Sequence, residues 1–411
     1  MFPRNVAPLI TTAMADTPVV LLQGPRQSGK STLAKALIGE HRDGRYLTLD
    51  DATVLAAAVA DAAGFVRGLT GPTVLDEIQR APGLMVAIKA EIDRDRRPGR
   101  LLLTGSANVL MLPKVSESLA GRMELHALLP LSQGELEGRS EGFVDALFAS
   151  GALPALRGTL DKPALVARIL AGGYPEAVAR QIPRRRRAWF DAYVTTILHR
   201  DVRDIAHIEH LTQVPRLLAL LAARMATLVN HAEISRSLDL PQTTLKRYLA
   251  LLQTVFLVRE LPAWSGNLSK RLVKAPKLLL DDSGLAANLL GLDAGRLDAE
   301  PSFLGALLEN FVAIELVKQL PWSSTRPQVF HYRSHAGQEI DLLLEDAQGR
   351  LVGIEIKARK TLDGRDFRAL RDLETDLPER FHRGVVLYTG SETVSFGDRL
   401  QAMPVEALWR L

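Results

Sequence analysis

The chain has 411 residues, of which 51 are basic and 47 acidic, so its net charge is only +4. A charge this small does not by itself indicate a nucleic-acid-binding protein, and any basic surface must be local. The hydrophobic fraction of 47% is typical of a globular protein, and 0 cysteines exclude disulfides, thiolate zinc sites and cysteine nucleophiles. No apolar run reaches the roughly eighteen residues of a membrane span. We therefore expect a soluble, cytoplasmic protein of several domains with no membrane partner.

The first elements along the chain are predicted to be a helix, a strand and a second helix. The opening stretch, MFPRNVAPLITTAMADT, lacks a basic segment followed by a long apolar core, so we expect a flanking helix and not a signal peptide. Val19–Leu22 form a continuous apolar run, as in a strand buried on both faces of a parallel sheet. Leu33, Leu37 and Ile38 follow at helical spacing. The segment between them is a loop that joins a strand to a helix.

That loop has the sequence GPRQSGKST, in which two glycines bracket four residues and a lysine and a serine follow. Between a strand and a helix, this spacing predicts backbone N–H groups that cradle phosphates, aided by the helix N-terminus. Lys30 is expected to reach the β- and γ-phosphates of ATP, and Ser31 to bind Mg²⁺. The alternative is a glycine-rich turn that happens to precede a lysine. The predicted nucleotide-binding residues are Gly24, Pro25, Arg26, Gln27, Ser28, Gly29, Lys30, Ser31 and Thr32.

Two carboxylates end the predicted strand in PTVLDEIQ. Acidic side chains at the tip of a core strand are costly unless they have a role there. Asp76 fits a carboxylate that helps to hold Mg²⁺, and Glu77 fits the base that polarises the attacking water. The alternative is a strand followed by an ordinary acidic helix cap.

Polar residues also end the next predicted strand, in RLLLTGSAN. Thr104 and Asn108 are candidates for sensing the γ-phosphate, with a plain turn as the alternative. Arg122, in SLAGR, is expected to stabilise transition-state charge on the nucleotide of a neighbouring subunit. Its alternative is a surface salt bridge.

The predicted elements divide the chain into four parts. Strand–helix alternation over residues 1–135 predicts an α/β domain with a parallel sheet. Residues 136–205 have the pattern of a helical lid or linker. In it, the run Arg184–Arg187 is a phosphate contact, a solvated helix face or a surface that docks on an acidic neighbour. Two further units, 206–300 and 301–411, follow.

Residues 206–300 contain a helix-turn-helix pattern. The second helix has apolar residues, among them Leu245 and Leu249, on one face. Its opposite face carries side chains that suit a DNA groove, namely Gln242, Thr243, Lys246 and Arg247. LVREL and PKLLLDD predict two strands, and the segment between them resembles a wing whose predicted DNA contacts are Lys270 and Arg271. The alternative is a winged helix used for protein contacts.

Residues 301–411 predict a second α/β unit. Glu309 lies in a predicted helix, and Asp341 and Glu355 lie in two predicted strands. Glu355 and Lys357 are two residues apart, so they share one face of their strand. Their convergence at one sheet edge predicts a metal-dependent phosphodiesterase site, in which the carboxylates hold Mg²⁺ and Lys357 steadies the charge. The alternative is a half-exposed strand whose outer face is charged.

Taken in order, these motifs resemble a group of bacterial and archaeal ATPases of the AAA+ class: GPRQSGKST, VLDEIQ, LTGSAN, SLAGR, GGYPE, LENFVAIEL, EIDLLLE and GIEIKA. The resemblance covers nearly the whole chain. It implies a P-loop AAA+ ATPase domain with a helical lid, a winged helix-turn-helix domain, and a C-terminal restriction-endonuclease-like α/β domain of the PD-(D/E)xK superfamily. Glu309, Asp341, Glu355 and Lys357 match that pattern one by one, although Ile340 stands where the superfamily name has a proline.

The function expected is a Mg²⁺-dependent ATPase that remodels or processes DNA, duplex or branched, as a homo-oligomer such as a hexameric ring. Its ligands are then ATP, Mg²⁺ and DNA. A second hypothesis is a nucleotide-dependent regulator that acts through protein contacts and keeps the nuclease fold in a catalytically silent form. A P-loop kinase of a small molecule is the third, and nothing after the ATPase domain suggests a compact acceptor site.

Overall fold

The computed structural model describes residues 2–39, 44–106, 121–201, 213–334 and 337–411. Among these, five parallel strands make up the first sheet, in the order β2-β3-β4-β1-β5. Their bounds are β1 Val19–Gln23, β2 Arg45–Thr48, β3 Thr73–Asp76, β4 Leu101–Gly105 and β5 Met123–Ala127. β1, β3 and β4 are buried along their whole length. The prediction of an α/β domain with a parallel sheet is confirmed.

Helices cover both faces of this sheet. They are α1 Ala7–Asp16, α2 Lys30–Gly39, α3 Ala52–Ala60, α4 Ala62–Arg67 and α5 Leu84–Arg94. Alternate residues of β1 belong to different cores, because side chains alternate between the faces of a strand. Leu21 packs in the cluster that contains Ile88 of α5, and Leu22 in the cluster that contains Ile10 of α1 and Leu33 of α2. This sandwich holds the carboxyl ends of the strands rigidly beside one another.

A helical region follows the first sheet. Its helices are α6 Gln133–Glu137, α7 Phe143–Phe148, α8 Lys162–Ala171, α9 Pro175–Val178 and α10 Pro183–Thr196, which continues as a π-helical turn over Ile197–Asp201. Tyr193 of α10 is buried and its ring lies 4.8 Å from that of Tyr174. Most of the arginine run at the start of α10 is exposed. None of the helices in the described ranges is both long and apolar enough to span a membrane.

In the next unit, as far as the structure describes it, three helices precede a two-stranded hairpin, and the second and third of these helices meet at a turn. The helices are α11 Gln213–Ala223, α12 His231–Leu238 and α13 Gln242–Thr254, and the antiparallel strands are β6 Val258–Leu261 and β7 Lys277–Leu280. Leu245 and Leu249 of α13 are buried, as their spacing predicts. The segment between the strands is not a plain loop, because it contains the short helix α14 Leu268–Arg271. Helices α15 Ser283–Leu289 and α16 Ala294–Ala299 complete the unit.

The C-terminal unit is built on a mixed sheet with the long helix α17 Pro301–Gln319 beside it. Its remaining elements are β8 Gln328–Arg333, β9 Glu339–Glu345, β10 Leu351–Lys357, α18 Arg368–Asp376, β11 Phe381–Tyr388, β12 Val394–Gly397, β13 Leu400–Pro404 and α19 Ala407–Arg410. The strand order is β12-β13-β11-β10-β9-β8. β8, β9 and β10 pair antiparallel, whereas β11 lies parallel to both β10 and β13.

One hydrophobic cluster runs through most of the chain after the first sheet, from Phe143 of α7 to Trp409 of α19. It includes Leu249 of α13, Leu279 of β7 and Phe311 of α17. The helical region, the hairpin and the C-terminal sheet therefore share a core. Because these parts pack on one another, the C-terminal sheet depends on the rest of the chain for part of its core.

Candidate functional site

The loop between β1 and α2 has the backbone conformation that its glycines permit. Gly24 has φ +153° and Gly29 φ +98°. A Cβ at Gly24 would stand 2.2 Å from the carbonyl oxygen of Leu128, which follows β5, so only glycine fits there. Gln27 also adopts a left-handed conformation, with φ 62°. Non-glycine residues rarely adopt positive φ angles. Such angles recur in loops that turn several backbone N–H groups toward one point.

Lys30 and Ser31 open α2 beside the tip of β3. Lys30 is 5% exposed, and its Nζ donates to the carbonyl oxygens of Gly24 and Pro25 at 2.9 and 2.8 Å. Ser31 Oγ lies 3.0 Å from both carboxylate oxygens of Asp76. The serine hydroxyl and the buried carboxylate are therefore brought together, and the lysine ammonium group is bound to carbonyl oxygens at the start of the same loop.

Two further hydroxyl groups donate to Asp76. One is Thr104 Oγ1 at the end of β4, and the other is the phenolic hydroxyl of Tyr46 in β2. Burial, followed by the hydrogen bond to Asp76, raises the pKa of the Tyr46 hydroxyl well above its ordinary value, so it stays a donor. Sequence reasoning missed Tyr46. No local pattern shows that β2 lies beside β3, and this pairing is what brings Tyr46 to Asp76.

Glu77 lies directly after β3 in a left-handed conformation, with φ 62°. Its backbone N–H donates to Thr104 Oγ1 at 3.2 Å. The amide of Gln79 donates both to the Glu77 carboxylate and to Ser106 Oγ, the latter at 2.9 Å. The tips of β3 and β4 are thus tied together, and Glu77 is half-buried beside Asp76.

The other predicted nucleotide-site residues divide into three groups. Pro25 and Ser28 are buried in the loop, whereas Arg26, Gln27 and Thr32 are at least partly exposed. Arg122 directly precedes β5 and pairs with Asp93 of α5 at 3.1 Å in its own chain. Asn108 lies outside the described residues. The predicted roles of these side chains stay predictions.

The residues of this loop fit a nucleotide with its magnesium ion. Ser28 Oγ is buried without a hydrogen-bond partner, which is the kind of orphaned polar atom that a bound ligand satisfies. Arg4 holds the loop from behind, with its guanidinium 2.7 Å from the Ser28 carbonyl oxygen. The loop N–H groups and Lys30 would hold phosphate, and Ser31 with Asp76 would hold Mg²⁺, which prefers oxygen ligands.

A second cluster lies in the C-terminal unit, and we call Glu309, Asp341, Glu355 and Lys357 the acidic centre. Lys357 Nζ lies 2.7 Å from Glu355 Oε2, and the backbone N–H of Ile356 donates to Asp341 Oδ2 at 2.8 Å. Glu355 is only 5% exposed, so a half-exposed strand with a charged outer face does not describe it. The structure brings the four predicted residues together.

Sequence reasoning missed a fifth member of this cluster. Lys277, the first residue of β7, is 4% exposed and lies 2.7 Å from Glu309 Oε1 and 3.9 Å from Asp341 Oδ1. Burial lowers the pKa of Lys277, but the carboxylates of Glu309 and Asp341 outweigh this and raise it overall, so the ammonium is charged. The lysine comes from the neighbouring hairpin, more than thirty positions before Glu309 and more than sixty before Asp341, and no local pattern marks it.

Two carboxyl groups of the acidic centre, those of Glu309 and Glu355, hold protons more tightly than free glutamate does. Burial, and then repulsion from Asp341, raise the pKa of Glu309 to about 7 and that of Glu355 to about 8. Glu355 Oε1 is buried without a hydrogen-bond partner. Among the described residues, no group of three or more histidine, aspartate and glutamate side chains has an arrangement that could hold a metal ion.

The predicted DNA contacts are placed in two different ways. Lys246 and Arg247 are exposed on α13, on the face opposite its buried leucines. The placement of Arg271 corrects the prediction: its guanidinium makes two bonds to Glu345 of β9, at 2.6 and 3.1 Å, and its side chain is 11% exposed. The short helix α14 turns Arg271 toward the C-terminal sheet instead of toward solvent. The side chain of Lys270 lies outside the described part of the structure.

Family models match three successive parts of the chain. An AAA domain matches residues 16–137, and two domains of unknown function, DUF8612 and DUF4143, match residues 162–296 and 304–408. Among solved structures, the Walker-type ATPase PABY2304 of Pyrococcus abyssi is 15% identical with a TM-score of 0.43, over 70% of this chain and 96% of that chain. A likeness this distant carries no argument.

Two relatives match over nearly the whole length. They are the uncharacterized protein Rv2008c of Mycobacterium tuberculosis and the uncharacterized protein Mb2031c of Mycobacterium bovis. Each is 33% identical over 407 residues, which is 98% of this chain and 84% of the relative. The chain therefore belongs to the family of these mycobacterial proteins, and its first domain is an AAA-type P-loop ATPase domain.

Proposed function

We propose that the protein is a Mg²⁺-dependent ATP hydrolase whose nucleotide state governs its action on DNA. One observation carries the ATPase part: Ser31 Oγ lies 3.0 Å from both oxygens of a buried Asp76, next to the Lys30 loop. A hydroxyl and a carboxylate in this relation, at the start of a helix, suit a Mg²⁺–phosphate complex. When bound there, Mg²⁺ would neutralise charge that develops on the phosphates.

The residues of the chain divide the remaining work. Lys30 moves from the carbonyl oxygens of its own loop to phosphate oxygens when ATP binds. The Glu77 carboxylate orients a water for in-line attack and accepts its proton. Arg122 acts across a subunit boundary in a homo-oligomer, for which a hexameric ring is one arrangement. It precedes β5, whose first residue pairs with the first residue of β1, so Arg122 lies at the end of β1 opposite to its own nucleotide loop.

The DNA part of the proposal rests on α13 and the C-terminal unit. Exposed Lys246 and Arg247 lie on the outward face of the second helix of a helix-turn-helix pair. A helix in this position commonly enters the major groove while basic side chains contact phosphates. A restriction-endonuclease-like fold in residues 301–411, supported by the assembly of the acidic centre, would extend the DNA-binding surface.

The test combines ATP turnover with the salt dependence of DNA binding. The full chain should hydrolyse ATP with Mg²⁺, Lys30→Ala should not, and duplex, forked or four-way DNA should change the rate. The plot of log affinity against log salt should have a slope about two units smaller in magnitude for the double variant Lys246→Ala, Arg247→Ala than for wild type. Each lost phosphate contact removes about one unit of slope. A matched control is Arg94→Ala, Arg97→Ala, which removes two charges from side chains that are 64% and 57% exposed.

Each part can fail separately. Absence of hydrolysis by the wild-type chain, with and without DNA, contradicts the ATPase part. Hydrolysis with unchanged DNA affinity and salt slope in the Lys246, Arg247 variant contradicts the DNA part.

A second candidate is a nucleotide-dependent regulator that acts through protein contacts. The segment between β6 and β7 favours it, because Leu268, Leu272 and Val273 are 70%, 89% and 82% exposed there. Apolar side chains gathered on a protruding segment suit a protein surface better than a phosphate backbone. A chain that hydrolyses ATP but shows no salt-dependent DNA binding would have this function.

A further inference from the structure

We propose that Lys277 is the resident cation of the acidic centre, and that the centre takes no divalent metal ion while β7 is in place. The proposal goes beyond the ATPase function and does not depend on it. It makes the C-terminal unit a self-neutralised platform that does not cut phosphodiesters by a metal-dependent route.

The position of the ammonium group is the first observation. Lys277 Nζ lies between a carboxylate from helix α17 and one from strand β9, 2.7 Å from Glu309 Oε1 and 3.9 Å from Asp341 Oδ1. A metal ion that bridged the carboxylates of Glu309 and Asp341 would occupy the position that the Lys277 ammonium group occupies. The lysine is 4% exposed, so its charge is not screened by solvent as a surface lysine's is.

The charge count is the second observation. Glu309, Asp341 and Glu355 would repel one another without cations. Lys357 pairs with Glu355 at 2.7 Å, and Lys277 serves the other two carboxylates. Each of the three carboxylates therefore has an ammonium group within 3.9 Å. A divalent ion entering this cluster would meet two positive charges at close range, which opposes its binding.

The third observation is that the hairpin carrying Lys277 is fixed to the C-terminal unit. Asn310 of α17 exchanges two hydrogen bonds with the backbone of Leu280 in β7, at 2.8 and 3.0 Å. At the other end of the hairpin, Arg271 pairs with Glu345 of β9 at 2.6 Å. These contacts fix the backbone of β7 beside α17, so the fold itself places Lys277 next to the carboxylates. The metal position would open only if β7 moved away from α17.

The experiment measures Mn²⁺ binding to the full chain without nucleotide, by the loss of the free Mn²⁺ signal in electron paramagnetic resonance. Wild type and Lys277→Arg should show no Mn²⁺ site that depends on Asp341 up to millimolar metal. Lys277→Met, which keeps the length of the side chain and removes its charge, should gain one site. Adding Asp341→Asn to Lys277→Met should abolish that site, which separates it from metal at Ser31 and Asp76.

Two results would overturn the proposal. One is a wild-type Mn²⁺ site that Asp341→Asn removes. The other is a folded Lys277→Met chain, verified by circular dichroism, that gains no site. If Lys277→Met does not fold, Lys277→Gln replaces it, and the comparison of wild type with Asp341→Asn still decides, because an Asp341-dependent site in wild type contradicts the proposal and its absence supports it.

Discussion

The nucleotide site and the acidic centre use the same residue types in opposite ways. At the tip of β3, Asp76 accepts hydrogen bonds from the hydroxyls of Ser31, Tyr46 and Thr104, which are neutral donors. In the acidic centre, the carboxylates accept hydrogen bonds from the charged ammonium groups of Lys277 and Lys357. Hydroxyl donors hold a carboxylate in place without cancelling its charge, whereas ammonium groups cancel it.

This difference explains what each site can bind. The charge of Asp76 remains available for a cation, and the loop before it supplies N–H donors for an anion, so the pair suits a metal–phosphate complex. In the acidic centre, the ammonium groups of Lys277 and Lys357 take the place of bound cations. A carboxylate cluster at a sheet edge is thus a poor guide to metal binding until the lysines of neighbouring units have been placed.

The largest effect that we expect is on turnover at the nucleotide site. Glu77→Gln keeps the shape of the side chain and its contact with Gln79 but cannot accept a proton. ATP should therefore bind with nearly unchanged affinity, while the rate of hydrolysis falls about a hundredfold or more. The measurement is steady-state ATPase together with equilibrium binding of a fluorescent ATP analogue.

The control for this variant is Glu124→Gln in β5 of the same domain, where the side chain is 46% exposed. It should hydrolyse ATP like wild type. Equal rates in Glu77→Gln and wild type would remove Glu77 from the mechanism and would leave the site as one that binds without cleaving.

Much of the nucleotide site could be predicted from sequence because its determinants are local. The glycine spacing, the apolar strand before it and the helix after it lie within about twenty residues, and β1, β3, β4 and α2 form where the patterns place them. Strand tips in a parallel sheet meet at one edge, so Ser31 and Thr104 could be expected near Asp76.

The parts that could not be predicted depend on packing between distant segments. Tyr46 reaches Asp76 only because β2 lies beside β3, and Lys277 reaches Glu309 only because β7 packs on α17. Arg271 was expected in a DNA-binding wing, but the helix α14 directs it to Glu345. Periodicity indicates which face of an element is buried, and it does not indicate which charged residue of another unit will meet that face.

A smaller effect is expected on the pH dependence of stability at the acidic centre. Burial and repulsion from Asp341 raise the pKa of Glu355 from 4.5 to about 8. The folded chain then keeps a proton that the unfolded chain releases, so the free energy of unfolding falls as pH rises between these two values. The glutamine of Glu355→Gln cannot titrate. Between pH 5 and 8.5, the free energy of unfolding of this variant should therefore fall less than that of wild type, and the difference should be on the order of 2 kcal/mol.

Urea denaturation of the full chain at both pH values measures this difference, and Glu392→Gln, at a side chain that is 56% exposed, is the control. Only the change with pH is compared, because loss of the Lys357 pair destabilises the variant at every pH. The same pH dependence in Glu355→Gln and wild type would mean that Glu355 holds no extra proton in the folded chain.

The smallest effect concerns the hydroxyl donors that distinguish Asp76 from the acidic centre. Tyr46→Phe removes one of the three hydroxyls and leaves those of Ser31 and Thr104 in place. Groups that orient a metal-holding carboxylate usually change metal affinity by tenfold or more when removed, and the two remaining donors favour the low end of that range. The Mg²⁺ concentration for half-maximal ATPase activity should therefore rise about tenfold, with little change in the rate at saturating Mg²⁺.

The control variant, Tyr332→Phe in β8, should leave the Mg²⁺ dependence unchanged. If Tyr46→Phe also leaves it unchanged, Asp76 is positioned by Ser31 and Thr104 alone, and the neutral donors matter less to this site than the contrast with the acidic centre implies.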